Sequence, residues 1–172
     1  MLCYRQQDYP QYKSWSALKK LLDSFLCPSL AGKISYFYTT YHEVHNAYGR
    51  ASVNLDGEEM ASFTWNAMYE QERDMGEMYR SGNRVSREEM MQNGWMDPGI
   101  LCESDCLRSM TAYLNTDVTE ALHSDNLLLR MFAFLDRRIG KRTLTAIKDE
   151  IDALPEWVAR FYRIRCEAEG IA

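Results

Sequence analysis

A chain of 172 residues with 46% hydrophobic and 26% charged side chains has room for one substantial core and is short for two domains. Its formal net charge of −5 argues against general affinity for nucleic acid or an anionic membrane, both of which call for a basic surface. No apolar run approaches the roughly 20 residues of a bilayer span, and the start, MLCYRQQDYP, lacks the apolar stretch of a secretory signal. Five cysteines, an odd number without such a signal, fit free thiols in a reducing cytoplasm.

Residues 1–13 are polar and interrupted by Pro10, and read as an irregular lead-in to one α+β domain over residues 14–172. Ser14 or Ser16 can cap a helix running to about Leu26. Leu18 and Leu22 lie on its apolar face with Trp15 and Phe25, and Pro28 stops it. After Gly32 the period becomes alternating: Ile34, Tyr36 and Tyr38 point one way, Ser35, Phe37, Thr39 and Tyr41 the other. A second strand alternates through Ala51, Val53 and Leu55. Asp56-Gly57 then signals a hairpin into Glu59–Trp65. A two-residue turn would set Met60 beside Val53. A three-residue turn with Gly57 left-handed would send Ala61, Phe63 and Trp65 inward, and is preferred because it buries the aromatics. The expected sheet is a small antiparallel three-stranded meander.

Helical spacing returns over Asn66–Arg80, and Ser86 with Glu89 reads as a capping box for a short helix ending at Asn93-Gly94. Further helices are expected at about Ser104–Tyr113 and Asp117–His123. Next comes the most apolar stretch of the chain, NLLLRMFAFLDRRIGKRTL from Asn126 to Leu144. Leu128, Phe132, Leu135 and Ile139 share one helical face, while Asn126, Arg130, Ala133 and Arg137 form a polar stripe opposite. Ser124 or Asp125 would cap this central helix, Arg137 and Arg138 would complement its C-terminal dipole, and Gly140 would end or kink it. Helices at about Lys141–Ile151 and from Pro155 complete the chain, the last with Trp157, Phe161, Ile164 and Ala168 on one face. The order predicts an α+β fold: one helix, the meander, then a helical C-terminal half packed on the sheet.

Taken together, WSALKKLLDSFLCPSLAGKISYFYTTYHEVHNAYGR (Trp15–Arg50) and FLDRRIGKRTL (Phe134–Leu144) resemble a family of small bacterial conserved hypothetical proteins to which no activity is assigned. The resemblance implies a bacterial origin and one compact domain, and brings no catalytic residues.

Three clusters carry possible chemistry. Tyr41, His42, Glu43 and His45 lie at the end of the first strand, close to Arg50. Two histidines beside a carboxylate could ligate a divalent metal if a turn aims both at one point, yet His-x-x-His is a weak signal and a polar loop is the plainer reading. Cys102 and Cys106, a turn apart at a helix start, could have lowered thiol pKa values or complete a zinc set, although buried inert thiols are commoner. Arg137, Arg138, Lys141 and Arg142 beside Asp136 form a basic corner able to take a phosphate or carboxylate, or else a solvated helix end with Asp136 paired locally. The expectation is a cytoplasmic, non-catalytic binding protein with no cofactor and no metal, which takes a protein or anionic ligand through Tyr41, His42, His45, Arg50, Arg137, Arg138, Lys141 and Arg142. The competing expectation is a small metal-assisted hydrolase or nuclease built on His42 and His45.

Overall fold

The computed structural model describes residues 14–41, 49–64 and 101–171. Helix α1 (Trp15–Phe25) takes the first of its two possible caps, Ser14, whose Oγ accepts the Ala17 N–H at 3.3 Å. It buries Leu18 and Leu22 and leaves Leu21 exposed. Strands β1 (Ile34–Thr40), β2 (Gly49–Leu55) and β3 (Glu58–Thr64) form an antiparallel sheet in the order β1-β2-β3. Tyr36 pairs with Val53, and both are buried together with Ile34, Ala51 and Phe63.

The β2–β3 hairpin reaches its expected facing by a different device. Leu55 pairs with Glu58 across a two-residue turn, with Asp56 and Gly57 at φ 50° and 85°, the geometry of a tight primed turn. A bulge then shifts the register, so that Glu59 opposes Asn54 but Ala61 opposes Val53. Met60 is the extra residue. The bulge, not a longer turn, brings Ala61 and Phe63 in line with Val53 and Ala51. Trp65, and the helices and turn read over residues 66–100, lie outside the described residues.

The C-terminal half packs on this sheet: α2 (Glu103–Tyr113), α3 (Val118–Leu122), α4 (Leu127–Leu135), α5 (Lys141–Ala146), a 3₁₀ turn (Lys148–Ala153) and α6 (Glu156–Glu169). Gly49 is where α2 comes closest to β2. A Cβ there would lie 2.7 Å from both Glu103 Cγ and the Thr39 carbonyl oxygen, so only glycine fits without a shift. Helix α4 is the centre, in contact with α2, α3 and α6. Its Phe132 ring stands 5.9 Å from Tyr36 and 5.4 Å from Tyr113, which joins the sheet to α2.

Four expectations about α4 give way. Its cap is Asn126, whose Oδ1 accepts the N–H groups of Leu128 and Leu129, and not Ser124 or Asp125. Ala133, placed on the wet stripe, is 0% exposed because neighbouring helices enclose α4 on several sides. The helix also stops at Leu135, so Arg137 and Arg138 complement no helix end there. Gly140, at φ −85°, neither adopts the left-handed form nor kinks a helix; it caps α5. The helix expected over Lys141–Ile151 breaks into α5 and the 3₁₀ turn. In α6 the inward face is Val158, Phe161, Tyr162 and Arg165, with Trp157, Ile164 and Ala168 at its margins.

Candidate functional site

The sequence Leu135-Asp136-Arg137-Arg138-Ile139-Gly140 explains why α4 ends. A short carboxylate can hydrogen-bond the backbone just ahead of it and so compete with continued helix. Asp136 does this: its Oδ1 accepts the Arg138 N–H at 2.7 Å, and its backbone turns extended. The freed backbone groups are taken up by the end of α1. Cys27 N–H donates to the Leu135 carbonyl at 2.9 Å, and Arg137 N–H donates to the Phe25 carbonyl at 2.8 Å. Leu26 and Asp136 thereby form an isolated antiparallel bridge.

Asp136 is only 1% exposed, so its charge must be met inside the protein. The Tyr113 hydroxyl donates to Oδ2 at 2.5 Å. Arg138 Nε–H lies 3.1 Å from both carboxylate oxygens, and Nη2 donates to Oδ2 at 2.7 Å. The Arg138 guanidinium also sits 4.2 Å from the centre of the Phe25 ring, a cation–π contact. Burial, then the bond to Asp136, pushes the Tyr113 phenol well above its ordinary range, and that carboxylate holds Arg138 still more firmly protonated. Burial does the same to the Tyr36 phenol nearby. The Tyr113 hydroxyl keeps its proton near neutral pH and uses it to hold Asp136 in place. The gap between Leu22, Tyr36, Tyr113 and Asp136 has no room for a water molecule.

A second arginine braces the turn from below. Arg165, 2% exposed on α6, donates Nη1 to the Asp136 carbonyl at 3.1 Å and Nη2 to the Ile139 carbonyl at 3.0 Å. Its charge is met by Glu169 Oε1 at 3.1 Å, and its Nε has no hydrogen-bond partner among the described residues. Sequence reasoning missed this residue. Its signal was an arginine at i+4 from Phe161 on the apolar face of a helix.

The four cations of the basic corner therefore have different fates. Arg138 gives one edge to Asp136. Lys141 Nζ donates to the Glu169 carbonyl at 2.6 Å, closing the last turn of α6. Arg137 and Arg142 are exposed, and among the described residues their side chains make no hydrogen bond or ion pair. The local pairing of Asp136 holds, but inside the protein, where a solvated helix end would have left it in water.

Elsewhere the expected site residues are dispersed or beyond view. His42, Glu43 and His45 lie outside the described residues. Tyr41 is exposed at the end of β1, and Arg50 pairs with Glu59 across β2 and β3. Cys102 and Cys106 do begin α2, yet burial outweighs the helix end: the Cys102 thiol is pushed up to about 12, and Cys106 is also raised. Among the described residues no group of three or more His, Cys, Asp or Glu side chains is placed to hold a metal, and no helix is long and apolar enough to cross a membrane.

The family model described as the SF0329 protein family matches residues 14–166. No curated protein and no solved structure matches the chain.

Proposed function

We propose that this chain, which belongs to the SF0329 protein family, is a non-catalytic binding protein of the bacterial cytoplasm, whose basic corner at residues 136–142 accepts an anionic partner. The observation that carries the reading is the contrast between a rigid turn and exposed charges that pair with nothing among the described residues. Asp136 and Arg165 fix the backbone of the turn from inside the core. Arg137 and Arg142 extend from that segment into water. Charges on a backbone already held in place lose less entropy on binding than charges on a mobile loop. They also form a local positive feature on a chain of net charge −5, which favours a small or localised anion over a long polyanion.

Sulfate or phosphate should raise the melting temperature above the value in chloride at matched ionic strength, since a ligand bound to the native state alone stabilises it. The Arg137→Glu/Arg142→Glu variant should lose that difference while its melting temperature in chloride stays close to wild type. Equal responses of wild type and variant would leave the corner as ordinary solvated surface.

A further inference from the structure

We infer that Arg138 is the recognition element of this corner, and that its ligand is an oxyanion group with two coplanar acceptor oxygens, a carboxylate or phosphate. The inference rests on the proposal that the corner binds anions and names the atoms that would do it. A guanidinium is a planar fork of N–H donors with more than one edge able to grip two oxygens. Asp136 occupies the edge made by Nε and one hydrogen of Nη2. Tyr113 also hydrogen-bonds this guanidinium and the exposed Asp117 carboxylate feels its charge, but Nη1, on the outer edge, makes no hydrogen bond among the described residues, and 39% of the side-chain surface is in water.

This arginine is also held in place before any ligand arrives. Asp136 is fixed by Tyr113, the Arg138 N–H is tied to the same carboxylate, and the guanidinium sits over the Phe25 ring. A surface arginine ordinarily loses much rotamer freedom when it binds, and here that loss has largely been met by folding. Asp136 neutralises most of the Arg138 charge, so the outer edge contributes geometry, while Arg137 and Arg142 contribute attraction. That division predicts a preference for the shape of an anion over its charge alone.

The test follows Arg138 directly by ¹H–¹⁵N NMR of its guanidinium while inorganic phosphate, acetate or chloride is titrated into the full chain. Phosphate and acetate should shift the Nη signals, chloride should not, and the Nε–H held by Asp136 should move little. In parallel, Arg138→Lys keeps the charge but removes the fork. It should lose the preference for phosphate over chloride, with about tenfold weaker binding for one bidentate contact. Arg137→Gln/Arg142→Gln should weaken binding yet keep the preference. Nη signals unmoved at phosphate concentrations that raise the wild-type melting temperature would overturn the role of Arg138 and leave the anion-binding corner standing. Absence of any phosphate effect on wild type would remove both. The NMR arm uses wild-type protein, so it decides even if Arg138→Lys folds poorly.

Discussion

Helix α4 and the turn that follows it are adjacent in the chain and both withdrawn from water, yet opposite kinds of force hold them. From Met131 to Leu135 every residue of α4 is buried, and its contacts are apolar and non-directional. In the turn, Asp136 and Arg165 are as deeply buried, but each is held by charged, directional bonds. Burial of an apolar side chain stabilises in proportion to area, roughly 25 cal/mol per Å². A buried charge stabilises only while all its partners are present. Volume is thus the quantity that matters in the helix, and completeness in the turn.

The sharpest way to break this contrast is at its two centres. Phe132→Ala should cost about 4 kcal/mol by opening a cavity between Tyr36 and Tyr113, whereas Phe132→Leu, which keeps much of the volume, should cost about 1.5 kcal/mol or less. Chemical denaturation measures both, and near-equal losses would mean that volume is not what α4 supplies. Arg165→Met keeps length and apolarity but should still cost about 3 kcal/mol, because the Asp136 and Ile139 carbonyls and Glu169 lose their partner. Adding Glu169→Gln should recover part of that loss. A double variant less stable than Arg165→Met alone would contradict a turn governed by completeness.

A smaller effect separates the regions by pH. Cys102 and Cys106, buried at the start of α2, keep their protons well above the ordinary thiol pKa, whereas the unfolded chain loses them near pH 8.5. The folded pKa values are the raised ones, so this contribution is intact below pH 8.5 and is lost as pH rises from there toward about 12. The slope should be about 1.4 kcal/mol per pH unit for each thiol. Unfolding followed between pH 8 and 10 should show the decline, and Cys102→Ala/Cys106→Ala should flatten it. An unchanged slope in that variant would assign the alkaline loss to other groups.

The same contrast governs what could be read from the chain. Elements set by apolar periodicity were legible: α1 with its Ser14 cap, the alternation of β1 and β2, and the apolar face of α4 running through Leu128, Phe132 and Leu135. Elements set by one polar bond were not. Nothing in the period near Asp136 announces that its carboxylate will turn back on the Arg138 N–H, so the helix was carried too far and Arg138 was read with its equals. Ala133 was misplaced because a spacing rule assumes one wet side, although the nearly unbroken apolar run around it was the better signal. Arg165 escaped because a charged residue on an apolar stripe looks like an interruption. The hairpin facing was recovered by asking which one buries Phe63, although the turn was read one residue too long, because the bulge at Met60 has no composition of its own.

The bridge between Leu26 and Asp136 joins positions more than a hundred residues apart. Helix α1 is made early in synthesis, but the partners for its final carbonyl and the amide beyond it arrive only with Leu135 and Arg137. The brace beneath them, Arg165, comes later still. A contact this remote is closed against a large loop entropy and gives no advantage to a half-made chain. The end of α1 therefore gains its last backbone partners only once the segment around Asp136 has folded against it.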